Sequence, residues 1–146
     1  MTRAQCLITR GRQVLMVKHR VNGEEWWCLP GGGVEPLETS AKAGLRELVE
    51  ECCVGGKIIR QTAHSTDGFG IGTITFLIEL GNQEPHMGVD PEFTKDDQIL
   101  AEVRWLTLAE IPERDRAYLR AAGLMSLPGL LDEVSNWGDE LSYPTR

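Results

Sequence analysis

The stretch LPGGGVEPLETSAKAGLRELVEECCV, residues 29–54, decides the fold that we predict for this chain. Its glycine-rich turn leads into a predicted helix that carries Glu47, Glu50 and Glu51. At about 100° per residue, these three carboxylates fall within about a 100° arc of one helix face. An apolar stripe on the opposite side would dock the helix on a sheet. The stripe consists of Ala41, Leu45, Leu48, Val49 and Cys52.

The carboxylate face is costly for the helix. Like charges three or four residues apart destabilise a helix by about 0.2–0.5 kcal/mol per pair, and Arg46 offsets only part of this. Gly44 costs about 1 kcal/mol relative to alanine, and with Ala43 it is expected to leave open space above the carboxylates. A bound divalent cation explains both costs, because Mg²⁺ takes oxygen ligands and bridges carboxylates to phosphates. A solvated acidic face is the alternative.

Length and composition predict one globular domain spanning residues 1–146, with 41% hydrophobic and 25% charged residues. The net charge of −7 argues against a nucleic acid polymer as partner. A small phosphorylated substrate stays compatible with this charge, because a bound cation reverses the local sign. No stretch has the pattern of a signal peptide or of a membrane span, so we expect a cytoplasmic protein without a membrane partner.

The order of predicted elements indicates an α+β fold in which a mixed sheet packs between helices. The first two strands, 3–9 and 13–19, are expected to form a hairpin through a tight turn at Gly11. A helix capped by Thr39 or Ser40 then runs to about Cys53. The remaining predicted elements are strands at 57–66, 72–80 and 99–106, a helix from Thr107 or Leu108, and a helical stretch around 114–122.

The tail, about residues 123–146, is predicted either to dock on its own chain or to form a dimer. Its apolar residues keep roughly helical spacing, which both readings require. They are Leu124, Leu127, Leu130, Leu131 and Val134.

Two neighbouring tryptophans before the glycine turn, Trp26 and Trp27, could stack a nucleobase. Because side chains alternate along an extended segment, one of them is expected to pack inward and the other to point outward. His19 and Arg20 end their strand either facing the site or as solvent-exposed charges. Residues 81–97 form a long acidic loop, and long loops in compact domains often have a functional role.

Residues 32–54 resemble the signature of the Nudix hydrolases, G-x5-E-x7-R-E-U-x-E-E-x-G-U, in which U is a bulky aliphatic residue. The matching positions are Gly32, Glu38, Arg46, Glu47, Leu48, Glu50, Glu51 and Val54. One specified position departs, because Cys53 stands where the signature has glycine. A residue just past a helix end often takes the left-handed conformation, which favours glycine. We therefore expect the helix to continue one step and to end at Gly55 or Gly56.

This resemblance implies a mixed β-sheet between helices, with the signature forming a loop–helix–loop motif. It also implies hydrolysis of a nucleoside diphosphate linked to another moiety, with Mg²⁺ or Mn²⁺ as cofactor. Carried over by position, Glu50 and Glu51 would be the principal metal ligands. Glu47 would be a third ligand or the base that orients the attacking water, and the Gly31 carbonyl would also reach the metal.

Further residues are candidates for roles around these acids. Arg46 and Glu38 would form an orienting pair beside the catalytic acids. Asp96 or Asp97, with Asp97 preferred, is a candidate for an additional acidic metal ligand. The proposed substrate-binding residues are Arg20, Trp26, Trp27 and Phe69, with His64 and the loop at 81–97 as further contributors.

The substrate class stays open between oxidised nucleoside triphosphates, ADP-ribose, nucleotide sugars and dinucleoside polyphosphates. The partner is expected to be a small phosphorylated nucleotide-type molecule, and family habit suggests a homodimer. The alternative function is a nucleotide-binding or regulatory module on the same fold without catalysis. A metal-dependent isomerase on this scaffold is a third reading, which the shortness of the chain disfavours.

Overall fold

The computed structural model describes residues 2–89 and 99–137. In these ranges the α-helices are short apart from α1, and the strands carry most of the fold. The strands are β1 (Thr2–Leu7), β2 (Thr9–Arg10), β3 (Gln13–Val21), β4 (Glu24–Cys28), β5 (Gly31–Gly33), β6 (Lys57–Thr66), β7 (Gly72–Glu79) and β8 (Leu100–Thr107). The helices are α1 (Ser40–Cys52), α2 (Ala117–Ala121) and α3 (Leu131–Ser135).

The strands divide into two sheets. The first has the order β5-β1-β7-β6, and in the second β3 lies between β4 and β8, with β2 beside its first residues. Strands β1 and β7 pair in parallel and the other pairs are antiparallel. The predicted α+β class with mixed strand pairing is confirmed, although the strands form two sheets. No helix in the described ranges is long and apolar enough to cross a membrane.

Strand β3 supplies residues to both hydrophobic cores, because its side chains alternate between its two faces. Leu15 and Val17 belong to the core that α1 covers. Val14 and Met16 belong to the core that residues 108–137, the C-terminal segment, cover. All four are fully buried, so the two sheets are packed between α1 on one side and the C-terminal segment on the other.

The predicted hairpin between 3–9 and 13–19 is only partly correct. Thr9 and Arg10 pair with the start of β3 through a turn in which Gly11 has a φ of 60°. Strand β1 instead lies between β5 and β7 in the other sheet. This position satisfies the backbone of a strand whose alternate residues Ala4 and Cys6 are fully buried.

The apolar stripe predicted for α1 is largely correct. Ala41 and Leu45 pack against the core as partly buried residues. Leu48 and Cys52 are buried as expected, but Val49 is 55% exposed and Gly44 is buried. A Cβ atom on Gly44 would lie 3.7 Å from Cys6 Sγ and 3.9 Å from Ala4 Cβ. The expected open space is therefore absent at Gly44, where a Cβ atom would be in ordinary van der Waals contact with β1.

The helix ends at Cys52, and the expectation that it continues to a later glycine is wrong. Cys53 itself takes the left-handed conformation, with φ 58° and ψ 29°. Its N–H donates to the Val49 carbonyl at 3.0 Å, which closes the last turn. The residue therefore performs the role of the glycine that the signature specifies, at the conformational cost of a Cβ atom.

The helical stretches after β8 are shorter than predicted. Residues Leu108–Glu110 form one 3₁₀ turn, and the carboxylate of Glu110 accepts from the Thr107 N–H at 2.9 Å. Ile111 follows in an extended conformation, and Pro112 after it prevents continuation of the turn. A second 3₁₀ turn at Glu113–Asp115 leads into α2.

The tail docks on its own chain as far as residue 137, which is one of the two predicted alternatives. Leu124, Leu127, Leu130 and Val134 are all buried in the second core. The Trp137 indole N–H donates to the Leu108 carbonyl at 3.3 Å. A homodimer therefore gains no support from these apolar residues and stays a prediction.

We predict that Cys53→Gly stabilises the fold. The left-handed conformation costs a non-glycine residue about 1–2 kcal/mol, and the greater freedom of glycine in the unfolded chain offsets about 0.5–1 kcal/mol. Urea denaturation should show a gain of up to about 1.5 kcal/mol in the free energy of unfolding. Cys53→Ala retains the Cβ atom and should give no gain. An equal gain from alanine would attribute the effect to the thiol instead of the backbone.

Candidate active site

A cleft of about 1040 Å³ lies where α1, both sheets and the C-terminal segment meet. The matching signature positions that line it are Gly32, Arg46, Glu47, Glu50 and Glu51, and the neighbouring Gly31 and Gly33 line it as well. The predicted carboxylate cluster therefore faces a cavity large enough for a small-molecule ligand.

Glu51 is fixed from two directions at the inner end of the cleft and is 7% exposed. Its Oε1 accepts from the Gly31 N–H at 2.7 Å, and its Oε2 lies 3.4 Å from His19 Nε2. Strand β5 presents the Gly31 amide because it pairs with β1 beside the helix. A Cβ atom on Gly31 would overlap the Ala4 carbonyl oxygen, so only glycine permits this approach.

Arg46 joins the helix to the loop that precedes it. Its guanidinium makes a two-point contact with Glu38, from Nε at 2.8 Å and from Nη2 at 3.0 Å. Nη2 also donates to the Gly33 carbonyl at 3.0 Å, and Nη1 lies 3.0 Å from Glu47 Oε1 and 3.3 Å from Glu50 Oε2. The Arg46 guanidinium holds the pKa of Glu38 below its ordinary value. The predicted pairing of Arg46 with Glu38 is present in the structure, and its orienting role stays a prediction.

Glu47 sits in an environment that disfavours its charged form. Burial, and then repulsion from Glu51 and Glu50, raise its pKa to about 7, although Arg46 acts in the opposite direction. A Cβ atom on Gly32 would lie 2.9 Å from Glu47 Oε2 and closer still to Oε1. The glycine strand thus leaves room for this carboxylate at the edge of the cleft.

The residues present fit a hard divalent cation. Carboxylate oxygens from three residues lie on one helix face, and Mg²⁺ and Mn²⁺ prefer oxygen ligands. Over residues 2–89 and 99–137, no three His, Cys, Asp or Glu side chains have already converged on a metal position. Instead, Arg46 and the Gly31 N–H hold the carboxylates. Burial is the main cause of the raised pKa of Glu47, and a cation would relieve the repulsion that adds to it.

His19 faces the cleft, which is one of its two predicted orientations. Its ring lies 3.4 Å from Glu51 Oε2 and 3.8 Å from Cys28 Sγ, and it meets Trp26 edge-on at 5.8 Å between centroids. Burial lowers the pKa of His19, but hydrogen bonds with Cys28 and Glu51 outweigh this and raise it to about 10. Strand alternation from buried Val17 is the sequence signal that places His19 on this face.

The two tryptophans divide as expected. Trp26 is half-buried and lines the cleft. Trp27 is 8% exposed and belongs to the core. Its backbone N–H donates to Asp115 Oδ2 at 3.0 Å. Lys18 Nζ lies 4.8 Å from the centroid of its ring. Both tryptophans line the cleft, and Trp26 is the more exposed of the two.

The other proposed substrate-binding residues have different outcomes. Phe69 lines the cleft and is 93% exposed. Arg20 pairs with Glu25 at 2.7 Å and lies outside the described cleft wall, as does His64. Asp96 and Asp97 lie outside the described residues.

Several cleft residues had no signal in the sequence. Arg3 and Gln5 come from β1, and Asp115 and Tyr118 come from the C-terminal segment. Asp115 is 2% exposed although it carries a carboxyl group. These residues lie far apart in the chain and share no motif, so only the packing of β1 and of the C-terminal segment around the cleft brings them together.

We predict that the two tryptophans differ in their contribution to stability. Trp27→Ala should lower the free energy of unfolding by about 3–5 kcal/mol, because it empties a core position. Trp26→Ala should lower it by less than about 1 kcal/mol, since the ring is half-buried beside the cleft. Urea denaturation of both variants measures the difference. A loss of similar size in the two variants would contradict the inward and outward assignment.

Comparisons with known proteins agree with this architecture. The family model of the NUDIX domain matches residues 1–127. Diphosphoinositol polyphosphate phosphohydrolase 2 of Rattus norvegicus is 44% identical over 61 residues, which cover 40% of this chain and 34% of the relative. A MutT NUDIX hydrolase from Burkholderia pseudomallei has a TM-score of 0.66 at 22% identity, covering 83% of this chain and 93% of that one. An ADP-ribose pyrophosphatase from Streptococcus suis has a TM-score of 0.63 at 17% identity, covering 98% of both chains.

These comparisons differ in what they support, because they differ in coverage and in sequence identity. The chain spans about a third of the length of the first curated relatives that it matches. The two structural neighbours are too distant in sequence to support more than the shared fold. The family model covers most of the chain and is the comparison on which a family assignment rests.

Proposed function

The chain belongs to the Nudix hydrolase family, and from that premise we propose that it is a pyrophosphohydrolase dependent on Mg²⁺ or Mn²⁺. Its reaction would be NDP-X + H₂O → NMP + P-X, with water attacking phosphorus. The observation that carries the proposal is the row of Glu47, Glu50 and Glu51 along one wall of the cleft. Three acids held together against their own repulsion are suited to binding a cation and the phosphates that it attracts.

The cation, when bound, would neutralise diphosphate charge and lower the pKa of a bound water molecule. Glu50 and Glu51 would hold it, and Glu51 is already oriented by the Gly31 N–H. Glu47 would serve as a third ligand or as the base that orients the attacking water, since it lies on the same wall of the cleft. The Gly31 carbonyl and Asp97 complete the proposed ligand set. Arg46 and Glu38 would keep the acids in place.

The described cleft wall favours a nucleoside over a highly phosphorylated ring as the organic part of the substrate. It carries six acidic side chains and three basic ones, Arg3, His19 and Arg46. The last two of these basic side chains already bind carboxylates. The aromatic side chains of Trp26, Phe69 and Tyr118 also line the wall, and such rings stack nucleobases. A polyphosphorylated inositol would require more cations than this wall supplies.

The alternative function is a nucleotide-binding or regulatory module that does not catalyse. The same cleft would bind the nucleotide in either case. The retained acids favour hydrolysis, because a module without catalysis has no need to hold three carboxylates at this cost. Removal of the acids separates the two functions.

We predict that the double variant Glu50→Gln and Glu51→Gln loses turnover and keeps the fold. Outer-shell partners of a metal contribute about 10–100-fold to activity, so loss of two direct ligands should lower kcat by at least about 100-fold. The measurement is the rate of product formation from nucleoside diphosphate derivatives with Mg²⁺ and Mn²⁺, with the products resolved by chromatography. Circular dichroism checks that the variant is folded.

A matched control removes the same charge elsewhere. Glu24 and Glu79 are exposed and lie outside the described cleft wall. The double variant Glu24→Gln and Glu79→Gln should retain turnover. Full turnover in the Glu50 and Glu51 variant would refute the assignment of these acids. Nucleotide binding without turnover in the wild-type chain would favour the regulatory alternative.

We also predict the class of substrate. Stacking on an aromatic side chain contributes about 1–3 kcal/mol per base, so kcat/KM for a nucleoside diphosphate derivative should exceed that for a diphosphoinositol polyphosphate by at least about 10-fold. A panel of ADP-ribose, nucleotide sugars, dinucleoside polyphosphates, oxidised nucleoside triphosphates and diphosphoinositol polyphosphates tests this. Trp26→Ala should reduce the advantage of the nucleotides. Preference for the inositol compounds would contradict the nucleoside assignment.

A further inference from the structure

The first half of the acidic loop at 81–97 contacts the end of α1. Residues 81–89 lie outside the described cleft wall, although the sequence suggested a part in substrate binding. The Gly88 N–H donates to the Glu51 carbonyl at 2.9 Å, and the His86 N–H donates to the Cys52 carbonyl at 3.0 Å. The segment therefore satisfies two of the four carbonyls that a helix leaves unpaired at its C-terminus.

Gly88 approaches the helix so closely that no side chain fits. A Cβ atom built on it would overlap the carbonyl oxygen of Glu50 and would lie 3.0 Å from the carbonyl carbon of that residue. The obstructing atoms belong to the backbone, which cannot rotate aside as the end of a side chain can. Any larger residue at 88 must displace either the segment or the last turn of α1.

The segment is also tied down at its other end. The Gln83 side chain donates to the Gly55 carbonyl at 2.6 Å and accepts from the Gly55 N–H at 3.2 Å. Arg10 of β2 donates to the Gln83 carbonyl and to the Glu84 carboxylate, both at 2.7 Å. A displaced Gly88 would therefore strain a segment that is held on both sides of the helix exit.

The last turn of α1 carries Glu50 and Glu51 and ends without glycine at Cys53. We propose that the segment 81–89, through Gly88, sets the position of this turn and so places the carboxylates of Glu50 and Glu51 against Gly31 and Arg46. Gly88 is a positioning residue for the cation site, and this inference rests on the proposed function. A displacement of about 1 Å at reacting groups can lower the rate by about 100-fold. A small shift of the last turn of α1, caused by a change at Gly88, can therefore have a large effect on activity.

A contact between residues 81–89 and α1 that only stabilises the fold would give a different result. It would lower the unfolding temperature and leave cation affinity unchanged in the molecules that remain folded. A positioning residue changes the affinity of folded molecules for the cation. Mn²⁺ provides this readout independently of turnover, because electron paramagnetic resonance measures the free ion.

The test compares Gly88→Ala with Gly55→Ala in the full chain. Gly55 lies beside the same helix exit, and a Cβ atom on it has no atom within 4 Å among the described residues. Gly88→Ala should weaken Mn²⁺ binding by at least about 10-fold, in the range expected for an outer-shell partner of a metal, and should lower kcat more than it raises KM. Gly55→Ala should bind Mn²⁺ within about twofold of the wild-type chain, because it adds an atom without a collision.

Wild-type Mn²⁺ affinity in folded Gly88→Ala would overturn the inference. If Gly88→Ala does not fold, Gln83→Leu replaces it as the test. That variant removes the anchor at Gly55 without adding an atom near Glu50, and it should also weaken Mn²⁺ binding. Unchanged binding in that variant would then overturn the inference.

The outcomes also separate this inference from the proposed function. Weaker Mn²⁺ binding in Gly88→Ala, together with a wild-type chain that hydrolyses no substrate, would support the positioning role and refute the function. Normal hydrolysis and Mn²⁺ binding in Gly88→Ala would support the function and refute the positioning role. A wild-type chain that binds no Mn²⁺ would refute both.

Discussion

The contact of one guanidinium with several carboxylates is the interaction on which the rest of the site depends. Arg46 lies within 3.3 Å of oxygen atoms from Glu38, Glu47 and Glu50 and also binds the Gly33 carbonyl. Without the positive charge of Arg46, the acids on one face of α1 would repel one another, because they lie three or four residues apart along the helix. Because its partners come from β5, the loop and the helix, the same contact holds all three segments around the cleft.

The carboxylates nevertheless stay incompletely compensated. Burial and repulsion from its neighbours leave the pKa of Glu47 near 7 despite the adjacent Arg46. A group of acids that its own protein neutralises only in part is suited to bind a cation that arrives with a phosphorylated substrate. The electrostatics of the site thus link its cost in stability to the chemistry that we propose for it.

Local sequence signals predicted much of the fold. The hydroxyl of Thr39 accepts from the Lys42 N–H at 3.1 Å, so the helix starts where its capping residue indicated. The β-branched run at 72–80 is the central strand β7, as its composition suggested. Such signals predict structure correctly because they depend only on residues that are neighbours in the chain. The pairing of β1 was only partly predicted, since Gly11 explains a turn but cannot tell which strands lie on either side of residues 2–7.

The sequence by itself determined the carboxylate row and placed Arg46 four residues before Glu50, because helical periodicity fixes which side chains share a face. Its resemblance to the family signature, and not its periodicity, indicated the family to which the chain belongs. Only the tertiary structure decided how the helix is held. It turned Gly44 against β1, left Cys53 in the left-handed conformation and brought Gly88 against the last turn. These contacts join residues that are tens of positions apart, and their geometry follows from how the two sheets pack against α1. No local pattern contains that information.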